Sequence, residues 1–185
     1  MEESCGVISE GLTAGGYLSA RGEQMTASAG PALTRDSGTS KLGIAWIALC
    51  LALALHVTDE ASTGFLSVYN PTVLALRAKI GFWPMPTFEF REWLTGLIVA
   101  VLVLLALSPL VFKRVRWMRP VFYVFAVIML LNGLGHTTGT IFGHTVSTVR
   151  FPRPMPGFYS SPLLLATSVY ALLQLRRTRK ALTPL

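Results

Sequence analysis

The chain has only three histidines among its 185 residues, His56, His136 and His144, and two of them stand beside groups that could share chemistry with them. Asp59 and Glu60 follow His56 at i+3 and i+4. On a helix those positions lie on one face, so an imidazole and two carboxylates would project together. His136 belongs to a second series, Asn132, His136, Thr140 and His144, spaced by four. Such a series forms a slowly drifting polar stripe along a helix. Imidazole nitrogen and carboxylate oxygen are the donors that hold a divalent metal such as zinc, and three protein ligands leave one position open for catalysis. We take His56, Glu60 and His136 as candidate metal ligands. Asp59 would orient a ligand or serve as a general base. All four are also candidate catalytic residues without a metal, with His56 as acid/base and Asp59 or Glu60 tuning it.

The elements that must position these residues are apolar blocks. Hydrophobic residues make up 52% of the chain and charged residues 14%, less charge than a soluble domain carries. The apolar residues cluster rather than alternate, which makes a bilayer the expected solvent. Four blocks read as spans: Leu42 to about Thr63 with Gly64 as C-cap, Trp93 to Phe112 with Pro109 bending its end, Val121 to about Phe142, and about Phe158 to Leu175. The expected fold is all-α, a four-helix transmembrane bundle over residues 41–180 with an extracytoplasmic interfacial helix or loop. Residues 1–40, rich in Gly, Ser, Thr and Ala, are expected to form a disordered cytoplasmic tail. Cys5 in that tail and Cys50 in the first block would sit in water and in lipid, so they are not expected to pair.

Charge sets the orientation. Lys113, Arg114, Arg116 and Arg119 follow the second block, and Arg176, Arg177, Arg179 and Lys180 follow the fourth. The loop from Asp59 to Glu92 is slightly acidic. Basic residues stay cytoplasmic, so both termini are expected inside and the chain is expected to be a multi-pass protein of the cell membrane. The formal charge of +7 therefore reflects membrane anchoring, and a nucleic-acid partner is not expected.

On helices rising from the basic side, His56 lies about 22 Å above Lys41 and His136 about 25 Å above Arg119. Both sets then meet just under the outer boundary of a hydrocarbon core about 30 Å thick. Asp59 and Glu60 fall in the last turn of their helix, where negative charge opposes the dipole, so both are expected to cost stability. Gly135, Gly139 and Gly143 are expected to allow close helix approach and to make the third span central. In the outer loops, Pro71–Phe82 reads as a short interfacial helix, and Phe82, Trp83, Phe88, Phe90 and Trp93 as an aromatic belt. The loop 145–157, with Pro152, Pro154 and Pro156, should be rigid and helix-free. Arg150 and Arg153 would either grip a phosphate or carboxylate head group or anchor this loop. Asn132, Thr140 and Ser160 complete the candidate substrate-binding set.

Three stretches carry a family resemblance. His56-Val57-Thr58-Asp59-Glu60 resembles the signature of the HXXEE-motif membrane proteins. Asn132-Gly133-Leu134-Gly135-His136 is similar to their second motif, an Asn and a His four apart. Arg153-Pro154-Met155-Pro156-Gly157 with Ser160 is similar to their third, an Arg-Tyr-x-Pro-Gly run with a downstream Thr. Order and spacing agree over residues 42–175. Asp59 stands in place of the first Glu, Pro154 in place of the Tyr, and His144 has no counterpart. The resemblance implies the membrane architecture and the choice of site residues more than any reaction.

The function expected is a membrane-embedded enzyme, metal-dependent or acid/base, acting on an amphipathic substrate among the membrane lipids. The alternatives are a protein that binds or transports an ion, proton or lipid, and an accessory membrane subunit. An off-centre site and the absence of an internal repeat weigh against transport.

Overall fold

The computed structural model describes residues 30–146, 149–150 and 152–180, with side chains described from Lys41 onward except at 145–146 and 179–180. The order is α1 (Gly30–Thr63), α2 (Leu66–Ile80), α3 (Phe90–Ala106), α4 (Ser108–Phe112), α5 (Met118–Phe142), β1 (His144–Val146), β2 (Val149–Arg150) and α6 (Ser161–Lys180). The described chain is mostly helical. Three helical stretches, Lys41–Thr63, Phe90–Phe112 and Met118–Phe142, are long and apolar enough to cross a membrane. The apolar part of α6 stops at Leu175, before the basic cluster, so length and composition alone do not make it a fourth span.

Helix α1 ends at Thr63, and Gly64 takes φ +76°, a left-handed conformation that a glycine adopts without strain. At its other end the helix reaches back to Gly30, into the stretch expected to be a disordered tail. Pro31 fits a first turn, where its missing N–H would have no partner, and extending a long helix costs far less than starting one. Residues 1–29, with Cys5, lie outside the described residues. Pro109 acts as expected: α3 stops at Ala106, and α4 begins at Ser108 with the proline in its first turn.

Trp46 organises the apolar core. It is fully buried, meets Phe122 and Phe125 of α5 edge-on at ring-centroid distances of 5.0 and 5.4 Å, and donates its indole N–H to the Leu104 carbonyl of α3 at 3.0 Å. A buried indole needs such a partner. Gly43 allows α1 to approach α4, since a Cβ there would overlap the Phe112 ring. Among the three long helices α1 is the most enclosed and α3 the least. α5, the helix that its glycines predict to be central, is enclosed less than α1 and more than α3. On α3, Ile98, Val99, Leu102 and Val103 stay exposed, as side chains facing lipid would.

The glycine stripe also works differently from expectation. Gly135 is exposed with open space around it. The close approach occurs at Gly133, where a Cβ would stand 2.9 Å from Leu165 Cγ of α6. The reason is angular: Gly133 lies in the buried row with Met129 and His136, whereas Gly135 lies on the outer face.

Outside the apolar core, α2 starts at Leu66, earlier than Pro71, and accommodates that proline inside the helix. Asn70 holds the segment that follows α2 by pairing with both backbone groups of Phe88, at 2.9 and 3.1 Å. Trp93 is buried against Phe65. Among its described residues the loop after α5 holds no helix but a small antiparallel hairpin, with His144 opposite Arg150. Val149 of that hairpin joins Val68, Met155 and Phe65 in a second small apolar cluster.

Candidate metal centre

His56 and Glu60 come from one face of α1, and His136 comes from the buried row of α5. All three side chains are buried. Glu60 Oε1 lies 3.0 Å from His136 Nε2 and 3.4 Å from His56 Nε2, and the two rings meet edge-on with centroids 4.7 Å apart. One ligand-type atom from each residue falls within 4.8 Å of the others.

Hydrogen bonding on the far side of each ring fixes its tautomer. His136 Nδ1 meets the carbonyl oxygen of Pro156, which can only accept, so Nδ1 carries the proton. His56 Nδ1 lies 2.8 Å from Ser160 Oγ, and that hydroxyl lies 2.8 Å from Asp59 Oδ2. A carboxylate only accepts. The Ser160 hydroxyl therefore donates to Asp59, in preference to the Gly157 carbonyl at 3.2 Å, and accepts from His56. In its neutral form each imidazole then presents an Nε2 lone pair toward Glu60. His56 Nε2 is buried with no hydrogen-bond partner, and an unpartnered buried polar atom is costly. Two nitrogen lone pairs and a carboxylate facing one point form a donor set that a cation satisfies.

The surroundings enclose this point. Gly157, at φ +83°, brings bare backbone against the site, where a Cβ would stand 2.8 Å from His136 Cε1 and 3.0 Å from Glu60 Cγ. Phe65 lies against the His136 ring at 5.6 Å. Thr140 accepts from the Met155 N–H at 3.1 Å and so ties the 152–160 loop to α5. Thr63 Oγ1 accepts from Gly157 N at 3.3 Å and ties the same loop to α1.

The other candidates separate into positions near the cluster and away from it. Asp59 does not face it. Its Oδ2 accepts from both the backbone N–H and the hydroxyl of Ser160, at 2.9 and 2.8 Å, just ahead of α6. The expectation that Asp59 stands where its charge only costs stability is thus corrected: the end of α1 disfavours it, but the start of α6 favours it. Ser160 is buried and joins Asp59 to His56. Asn132, half-buried one turn below His136, lies outside the cluster. Arg153, exposed on the loop, donates to the Phe142 carbonyl at 3.3 Å over Gly143, where a cation suits the helix C-terminus. Arg150 and His144 are exposed on the hairpin. From sequence, Thr63 stands only as a helix end, Gly157 only as part of the third motif, and Phe65 has no role. The Pro-Gly pair at 156–157 was the available signal, because it marks a tight backbone turn that can approach another group closely.

These features define a class: a mostly helical protein with apolar helices of membrane-crossing length around a buried His/Glu/His cluster. No protein-family model, curated protein or solved structure matches the chain.

Proposed function

We propose that the chain is an integral membrane protein that holds a divalent metal ion, zinc by the nature of its donors, between His56, Glu60 and His136, and acts as an enzyme on an amphipathic substrate. The single observation that carries this reading is the convergence of two imidazole Nε2 atoms on one Glu60 oxygen, with His56 Nε2 lacking a hydrogen-bond partner. The fourth position of a tetrahedral ion would remain free. An ion there would serve as a Lewis acid toward an ester-type or phosphoryl group. The Asp59–Ser160 pair and the Pro156 carbonyl hold the two rings in the ligating tautomer, as carboxylates and carbonyls do behind metal-bound histidines. Gly157 and Phe65 exclude water, which strengthens every electrostatic interaction inside. An apolar cleft of about 340 Å³ runs between α1 and α3 beside the turns that carry His56 and Glu60, with Ala61, Thr58 and Ile98 in its wall. It suits the apolar part of an amphiphile, and exposed Arg150 remains to meet its head group.

The proposal extends to the membrane arrangement. α6 serves as a fourth span beside α5, both ends of the chain are cytoplasmic, and the site lies toward the outer leaflet. All three motifs that resemble the HXXEE-motif membrane proteins supply residues to this one region, so membership of that family is part of the proposal. A second reading, acid/base chemistry without metal, draws on the 3.0 Å separation of His136 and Glu60, which also suits an ion pair.

Thermal unfolding in mild detergent separates the two. Wild type should gain stability on adding zinc after chelation, by about 3 kcal/mol when zinc exceeds Kd a hundredfold. Glu60→Gln should not respond to zinc. Without metal it should be at least as stable as wild type, because an amide N–H can donate to an Nε2 lone pair. Zinc-loaded wild type should turn over micellar ester or phosphoester amphiphiles, and chelation should stop it. A wild type indifferent to zinc, with chelator-resistant turnover, would leave only the acid/base reading.

A further inference from the structure

A second polar feature lies at the other end of the bundle. A cavity of about 340 Å³ opens where the start of the α1 span, the α4–α5 connection and the end of α6 meet. Its floor is apolar and belongs to the core: Leu42, Val111, Met118 and Phe122 are all buried. Its rim holds Arg114, Arg116 and Arg119, and no acidic side chain lines it among the described residues. Arg119 gives one N–H to the Leu175 carbonyl at 3.1 Å, which leaves further donors of its guanidinium. It also borders a neighbouring cavity of about 610 Å³ with Arg176, so the basic rim continues from α5 to α6.

Arg114 adds a backbone argument. It follows α4 with φ +53°, and Val115 N bonds back to the Leu110 carbonyl at 3.1 Å. That is the left-handed residue closing a helix end, the position where glycine is ordinarily used. A side chain there costs energy that glycine would avoid. A chain built only to end α4 would not place an arginine at that residue.

We propose that this cavity binds an anionic phospholipid, with the phosphate on the guanidinium groups of Arg114 and Arg116 and an acyl chain on the apolar floor. Guanidinium matches phosphate by paired hydrogen bonds. A phosphate alone leaves the floor empty, and a zwitterionic lipid brings a cation to a rim of cations. Basic pockets between membrane helices are suited to anionic head groups. The proposal rests on membrane insertion and is independent of the metal centre, so either can fail without the other.

The test titrates the full chain in mild detergent with dioctanoyl phosphatidylglycerol or dioctanoyl phosphatidylcholine, followed by native mass spectrometry. Saturable binding of the anionic lipid alone is expected. The double variant Arg114→Gln/Arg116→Gln should weaken it about thirtyfold, given the usual contribution of each basic residue. The double variant Lys113→Gln/Arg177→Gln removes the same charge outside the cavity and should leave binding unchanged. Melting curves establish that both variants fold, and Arg119 is left intact because it ties α5 to α6. Equal weakening by both variants would show diffuse surface attraction and overturn the proposal. So would the absence of saturable binding, or displacement by inorganic phosphate at the concentration of the lipid.

Discussion

Ser160 is the residue on which the chemistry of His56 turns. Its hydroxyl accepts a hydrogen bond from His56 Nδ1–H and donates one to Asp59. Removing it leaves the ring free to flip or to change tautomer. Ser160→Ala should therefore weaken zinc binding about 10–100-fold while the three ligands stay in place. Asp59→Asn should do the same and also lower stability by about 1–3 kcal/mol, because Asp59 accepts two hydrogen bonds ahead of α6. Competition with a chromophoric chelator measures the first effect and melting in detergent the second. A wild-type zinc affinity in both variants would remove these two residues from the account of the site. At this scale the sequence was informative where spacing along one helix decides proximity, as for His56 and Glu60. It was silent where partners are far apart in the chain. Nothing in the spacing says that Asp59 turns to residue 160, or that Arg153 reaches the end of α5.

At the scale of elements, α5 and α6 meet through Gly133, and that contact sets the position of His136 against the Pro156–Ser160 turn. Gly133→Ala forces the Leu165 side chain to shift and should destabilise the protein by about 1–3 kcal/mol. Gly135→Ala meets nothing within 4 Å and removes a glycine from a helix interior, so it should be neutral or stabilise by up to about 1 kcal/mol. Comparison of the two melting curves checks this, and the reverse order would mean that α5 is rotated from the orientation described. Glycine spacing alone could not choose between the rows, since Gly133 and Gly135 differ only in which way the helix face turns. Helix ends were more legible. Gly64 after Thr63 and Pro109 after Ser108 carry their effect in their own backbones. The hairpin after α5 was not legible, because two strands this short have no periodicity to read.

For the whole molecule, the blockwise distribution of apolar residues made the long apolar helices readable, whereas the proposed number of crossings depends on α6, whose apolar stretch runs directly into basic residues. Reporter fusions at residues 40, 116 and 180 should read cytoplasmic and those at 75 and 150 extracytoplasmic. Cytoplasmic and extracytoplasmic fusions at 150 and 180 reading alike would leave α6 outside the membrane. The central claim is that α1 and α5 fold together to hold one ion. Elemental analysis of the full chain, purified in mild detergent without chelator and equilibrated with zinc, tests it most directly. About one zinc per wild-type chain is expected, falling near zero in His56→Ala and in His136→Ala, since a site of three ligands does not survive the loss of one. Zinc-free wild type, or the same zinc content in all three proteins, would contradict it.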